Sequence, residues 1–67
     1  MSLSAQEHNL AALYCSGSRR STIDQLCEAV HDVDEPDILA DLLSVIAKLE
    51  AMDDNSFAVL EGGWLDG

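Results

Sequence analysis

The fold of this chain is decided by the stretch PDILADLLSVIAKLEAM, residues 36–52. Large apolar residues recur in it every three or four positions, namely Ile38, Leu42, Val45, Leu49 and Met52, with Leu39 and Ile46 beside them. This spacing is typical of one face of an α-helix. Pro36 suits the first helical turn, because its missing N–H would have no partner there. The stretch therefore predicts an amphipathic helix over residues 36–52, whose apolar face needs other helices to cover it.

A first helix is predicted over residues 5–14. Ser4 and Glu7 stand at the spacing of a capping box, in which each side chain accepts a hydrogen bond from the other residue's backbone amide. Leu3 precedes this cap, where an apolar residue would normally pack on the fourth helical position. That position is His8, a poor partner for Leu3.

A second helix is predicted over residues 20–31. Its apolar stripe is formed by Ile23, Leu26, Cys27 and Val30. Gly17 lies in the loop before it and is free to adopt a positive φ. The start of this helix is left open between Ser18 and Ser21, since either serine can cap it. A start at Ser18 would place two arginines in the first turn, against the helix dipole.

The chain after residue 52 predicts a short helix or turn over residues 54–60, with Phe57 and Leu60 as its apolar residues. Gly62 and Gly63 oppose helix formation, so residues 61–67 are expected to be a flexible tail. Trp64 in that tail is expected to fold back onto the body. The fold class is therefore all-α: one domain over residues 1–67, a small bundle of three main helices plus a short C-terminal helix or turn.

The charge of the chain limits its partners. Thirteen Asp and Glu residues against three Lys and Arg residues give a net charge of −10. Such a field repels nucleic acid and anionic membranes, so neither is an expected partner. The sequence contains no apolar run of membrane-spanning length and no signal peptide pattern. Two cysteines are too few for a disulfide scaffold. We therefore expect a cytoplasmic protein with reduced thiols.

The residues that can bind metals or act in catalysis are too scattered to predict a site. Cys27 and His31 are the one pair at helical i, i+4 spacing, and Cys27 is better explained as part of the apolar stripe. The acidic residues Asp32, Asp34, Glu35 and Asp37 surround a proline and lack the glycine of a calcium loop, so capping of the third helix explains them better. We expect no cofactor, no metal and no enzymatic activity.

The residues expected to contact a partner are one basic pair and the three aromatic residues. Arg19 and Arg20 are placed side by side in an acidic chain. They are open to two interpretations: exposed charges that pair with nearby carboxylates, or a contact for a partner's carboxylate or phosphate. An exposed apolar patch around Tyr14, Phe57 and Trp64, with the arginines beside it, would complete such an interface.

The order of residues along the chain resembles a known family. The residues that carry the resemblance are Leu3-Ser4-x-x-Glu7-x-Asn9-Leu10, Tyr14, Gly17-Ser18-Arg19, Ile23 and Ile46-x-Lys48-Leu49-x-x-Met52-x-Asp54-x-x-Phe57-x-x-Leu60. This series is similar to that of the putative transposon-transfer assisting proteins, short proteins of Clostridia-type gut bacteria carried on conjugative transposons. The chain departs from the pattern at His8 and in its glycine-rich tail. The resemblance implies a role in element mobility and brings no catalytic residue, cofactor or partner with it.

The sequence thus predicts a non-enzymatic accessory protein of a mobile genetic element, which binds another protein and assists conjugative transposon transfer. Self-association is left open. The alternative is an acidic DNA mimic that inhibits a DNA-binding or restriction protein. A mimic should spread its carboxylates over one face, whereas here five of them cluster at the start of the third helix, namely Asp32, Asp34, Glu35, Asp37 and Asp41, and the others are scattered. Direct DNA binding is disfavoured by the acidic polar side of residues 22–32.

Overall fold

The computed structural model describes the backbone of residues 3–66 and the side chains of residues 3–63. Over this range the chain forms four helices: α1 (Ala5–Leu13), α2 (Arg19–Asp32), α3 (Pro36–Ala51) and α4 (Asp54–Asp66). An isolated antiparallel bridge joins Ser16 to Ser18 in the loop between α1 and α2. The all-α prediction is confirmed for the described residues, and the third helix lies within one residue of its predicted bounds.

The helix α3 forms the centre of the bundle, and both α1 and α2 pack against it. Its buried residues are Leu42, Val45, Ile46 and Leu49, which all belong to the predicted apolar stripe. From α2, Leu26 is fully buried against this face, and Phe57 of α4 is only 3% exposed. The burial of large aliphatic side chains, each worth about 1.5–3 kcal/mol, is what holds α2 and α3 together.

The start of α2 is resolved in favour of Ser18. Its hydroxyl oxygen accepts a hydrogen bond from the backbone N–H of Ser21 at 3.1 Å. Gly17 has a φ of +78°, a conformation that its place in the loop left open to it. Thr22 is fully buried and its hydroxyl is satisfied, because it donates to the carbonyl of Ser18 at 2.8 Å and accepts from the amide of Ser16 at 3.1 Å. This small network fixes the turn that connects α1 to α2.

The predicted apolar stripe of α2 is wrong at one position. Cys27 is exposed, while Thr22 and Ala29 are buried alongside Ile23 and Leu26. The buried face is therefore centred on the line through residues 22, 26 and 29, at helical spacing. A threonine can occupy such a position because its hydroxyl bonds to the backbone of the preceding turn.

The acidic cluster before α3 caps the helix less than predicted. Glu35 is the N-cap residue, yet its side chain makes no capping hydrogen bond. Pro36 occupies the first turn as predicted, and Asp37 is the acidic residue within that turn. The cluster therefore interacts with α3 mainly through Asp37 and the helix dipole. Its acidity is not accounted for by side-chain caps.

The predicted tail at 61–67 is wrong for residues 61–66, because α4 continues through Gly62 and Gly63 to Asp66. Two features support the helix at its start: the Asp53 carboxylate accepts a hydrogen bond from the Ser56 amide at 2.8 Å, and Phe57 is anchored in the core. This local cap and the burial of Phe57 outweigh a glycine cost of about 1 kcal/mol per residue at Gly62 and Gly63. The predicted packing of Trp64 and the state of residue 67 lie outside the described part of the chain.

Candidate functional site

The described residues form a concave surface, a groove of about 480 Å³. It lies between Leu3, which precedes the N-cap of α1, the C-terminal turn of α3 and the middle of α4. Its apolar lining consists of Leu3, Ala51, Met52, Val59 and Leu60. We call this surface the apolar groove. Its size is within the range of about 300–1,000 Å³ that is usual for ligand sites.

Each wall of the apolar groove is positioned by a local feature of the sequence. Leu3 is 9% exposed and belongs to the core cluster, so the chain before α1 is held against the body. Met52 is the C-cap residue of α3 and is half-buried. Val59 projects from α4 with 78% of its surface exposed. The groove therefore combines a fixed apolar wall with an aliphatic side chain that α4 leaves in solvent.

Three polar residues complete the lining, namely His8, Lys48 and Ser56. Lys48 is bound to the Glu7 carboxylate, with its Nζ atom 2.7 Å from Oε1 and 3.0 Å from Oε2. The side chain of Glu7 is 7% exposed and that of Lys48 27%. This ion pair joins α1 to α3 at the edge of the groove.

Glu7 is buried, and several hydrogen bonds hold its carboxylate. The Ser4 amide donates to its Oε1 at 2.8 Å, which is one half of the predicted capping box, and the Glu7 amide donates to the Ser4 hydroxyl at 3.2 Å. The Ser44 hydroxyl donates to its Oε2. Hydrogen bonds from Lys48, Ser4 and Ser44, in that order of effect, lower the pKa of Glu7 from 4.5 to about 2. Glu7 is therefore ionised at neutral pH, and several donors already occupy its carboxylate.

A second, shallower surface of about 310 Å³ surrounds the arginine pair, and we call it the arginine recess. Arg19 spans it: its Nε lies 2.9 Å from Oδ1 of Asp54, and a terminal nitrogen donates to the Leu49 carbonyl at 3.0 Å. The guanidinium thus binds a backbone carbonyl in the last turn of α3, where the helix dipole favours a cation. This long-range contact explains why α2 tolerates an arginine in its own first turn.

Three of the residues predicted for partner binding, Arg19, Arg20 and Phe57, line the arginine recess. Arg19 is engaged as described, Arg20 is exposed, and Phe57 is part of the core rather than of an exposed patch. Tyr14 caps the C-terminus of α1 and is half-buried against the core. The side chain of Trp64 is outside the described set. The structure therefore brings the basic pair together with Phe57, at a surface distinct from the apolar groove.

Sequence reasoning did not single out the apolar groove, and the signal it missed is Val59. On α4, Phe57 and Leu60 follow the inward face at a spacing of three residues. Val59 follows Phe57 by two positions, so it falls on the opposite side of the helix. Packing in the core does not account for an aliphatic residue outside the buried stripe of an amphipathic helix. Such a residue is therefore a candidate for contact with another molecule.

The cysteines and histidines are dispersed. The Cys15 thiol donates a hydrogen bond to Oε2 of Glu61 at 3.2 Å, and burial is the main cause that raises its pKa. Cys27 and His31 are exposed on α2. Within the described residues, no group of three or more His, Cys, Asp or Glu side chains could hold a metal ion together. None of the helices described is long and apolar enough to cross a membrane.

Comparison with known proteins identifies the family of this chain. A family model described as putative transposon-transfer assisting protein matches residues 3–61. The matched range includes the capping box, the arginine pair, the whole of α3 and the groove residues Val59 and Leu60. No curated protein and no solved structure matches the chain significantly.

Proposed function

Since this chain belongs to the family of putative transposon-transfer assisting proteins, we propose that it acts in transfer by binding another protein of the transfer apparatus, without catalysis. The description of the family supports this proposal, because it names assistance in transposon transfer. We further propose that the transfer it assists is the conjugative transfer of a transposon.

The observation that carries the proposal is the exposure of Val59 at an apolar groove. Single exposed aliphatic residues are common on protein surfaces. Val59 differs because Leu3, Met52 and Leu60 lie with it in one concavity. A partner side chain placed there would remove several apolar surfaces from water at once, which is how small interfaces gain most of their affinity.

The chemistry of the buried groups also supports binding over catalysis. Glu7 is held as a carboxylate by three donors, so it is poorly suited to exchange protons near neutral pH. Burial and the neighbouring Glu61 carboxylate raise the pKa of the Cys15 thiol. A raised thiol pKa lowers the thiolate fraction, which is the nucleophilic form.

The partner is proposed to be a protein on electrostatic grounds. The net charge of −10 opposes phosphate binding. Two of the three basic residues are committed within the molecule, since Arg19 pairs with Asp54 and Lys48 pairs with Glu7. This leaves little basic surface with which to contact a nucleic acid backbone.

A complementation experiment tests this function. The gene would be deleted from a mobile element and restored as wild type, as Val59→Gln or as Leu13→Gln, and transfer frequency would be measured. Leu13 is the matched control, because it is 72% exposed on α1 and does not line the groove. We expect deletion and Val59→Gln to reduce transfer, with Leu13→Gln close to wild type. Unchanged transfer on deletion would contradict the proposed role.

A further inference from the structure

We propose that the apolar groove receives a basic amphipathic helix of the partner protein. This inference rests on the proposed function, because it names the kind of segment that the partner would present. It is drawn from the apolar lining of the groove, from the neutralised cation at its edge and from the acidic charge around it.

The shape of the groove suits the apolar face of a helix. Leu3, Met52 and Val59 come from three different parts of the chain and enclose one open space of about 480 Å³. A helix that docks into such a groove inserts side chains spaced at i, i+3, i+4 and i+7. The high exposure of Val59, at 78%, leaves it accessible to those side chains.

The cation at the groove does not oppose a basic partner. Lys48 lines the groove, but its ammonium group lies 2.7 Å from the Glu7 carboxylate. Glu7 stays ionised at neutral pH, because its hydrogen bonds hold its pKa at about 2. The pair therefore carries no net charge where the partner would dock.

The charge around the groove favours a basic segment. Asp53 is exposed and its carboxylate accepts a hydrogen bond from the amide of Ser56, a groove residue. Together with the net charge of −10, this carboxylate attracts a helix whose polar face carries Lys or Arg and repels an acidic one. A second copy of this chain carries the same negative charge and is disfavoured for the same reason.

Designed peptides provide the direct test, with binding measured by fluorescence anisotropy near physiological salt. The probe is a helix of about 18 residues, roughly five turns, with Leu at i, i+3, i+4 and i+7 and Lys elsewhere on the polar face. One control replaces every Lys by Glu, and another scrambles the order at constant composition. We expect the Lys peptide to bind at least about tenfold more tightly than either control, a difference of about 1.4 kcal/mol.

Matched protein variants separate groove binding from general attraction of cations to an acidic protein. Val59→Gln and Leu13→Gln each remove one exposed aliphatic side chain and leave the net charge unchanged. We expect about tenfold weaker binding of the Lys peptide for Val59→Gln, and no change beyond about twofold for Leu13→Gln. Equal effects of the two variants, or equal binding of the scrambled peptide, would overturn the inference.

The partner itself distinguishes this inference from the proposed function. A photo-crosslinking residue at position 59, with position 13 as control, would be expressed in a host that carries the element, and the crosslinked peptides would be sequenced. A basic segment of an element-encoded protein supports both proposals. An acidic segment of such a protein, or a second copy of this chain, overturns the basic-helix inference alone. If no element-encoded protein crosslinks at position 59 or copurifies with the chain, the proposed function fails as well.

Discussion

The central pair of helices, α2 and α3, differs from the terminal helices, α1 and α4, in what holds each in place. The central pair is joined by aliphatic side chains such as Leu26, Leu42 and Leu49, all at most 1% exposed. Apart from Leu3 before it, α1 buries only Glu7 and Ala11, and it is tied to α3 by an ion pair. The hydrophobic effect therefore secures the centre, whereas directional polar contacts set the position of α1.

The same difference shows at α4. Phe57 is its described anchor in the core, and Leu60 and Glu61 are half-buried behind it. The outer side of α4 leaves Val59 in solvent, and the apolar groove lies where α4 meets the start of α1. A protein of this size buries about 60% of the surface that its unfolded chain exposes, a smaller share than a larger domain buries, so it has few apolar side chains beyond those that its core needs. The apolar groove thus lies where the two helices that depend least on the core meet the C-terminal turn of α3.

The largest expected effect comes from the central pair. Leu49→Ala removes a fully buried side chain and should lower the free energy of unfolding by about 2–5 kcal/mol. For a chain this small, such a loss approaches or exceeds the whole stability. Thermal unfolding followed by circular dichroism would measure it. Leu43→Ala, at a position 51% exposed on the same helix, is the control and should change stability little.

The ion pair that docks α1 should have a smaller effect. Glu7→Gln keeps the size of the side chain but removes the charge that binds Lys48, and should lower the free energy of unfolding by about 1–3 kcal/mol. Hydrogen exchange should show the loss of protection concentrated in residues 5–13. Glu50→Gln changes the charge equally at an exposed position and serves as the control. Uniform loss of protection across α2 and α3 would contradict separate docking of α1.

The contribution of Glu7 should also depend on pH, with a sign fixed by its pKa. The pKa is lowered from 4.5 to about 2 in the folded chain. The stability that the carboxylate contributes is therefore complete above pH 4.5 and is lost as the pH falls towards 2. Urea unfolding of wild type and Glu7→Gln over this range should show their difference shrinking at low pH. A difference that persists unchanged near pH 2 would mean that the charge of Glu7 does not dock α1.

How far the sequence could predict each region follows the same division. The stripe of α3 was predictable at Leu42, Val45, Ile46 and Leu49, because each is both strongly apolar and at helical spacing. The capping box also predicted the start of α1. It did not reveal that Glu7 has partners in α3, since Ser44 and Lys48 lie 37 and 41 residues further along the chain. Local patterns identify contacts within a turn of helix and give no information on such partners.

The candidate site was less predictable than the fold, for the same physical reason. The groove exists only because Leu3, Met52 and Val59 meet in space, and no sequence period connects them. Arg19 is an example in which the local pattern was misleading. The dipole of its own helix disfavours a cation in the first turn, but its guanidinium donates a hydrogen bond to the carbonyl of Leu49, 30 residues away. The sequence could identify Val59 as an apolar residue off the buried stripe, but not what surrounds it.

The smallest expected effect tests why α4 extends beyond its predicted end. Gly62 lies inside the helix, and a methyl group built at that position meets nothing within 4 Å. Gly62→Ala should therefore raise the free energy of unfolding by about 0.4–1 kcal/mol, since alanine restricts the unfolded chain and favours the helix. Gly17→Ala is the matched contrast, because its φ of +78° should make the same substitution destabilising. Urea unfolding of both variants would measure the difference. A lower free energy of unfolding for Gly62→Ala would contradict a helix over residues 61–66. The burial of Phe57 would then stabilise α4 only as far as residue 60.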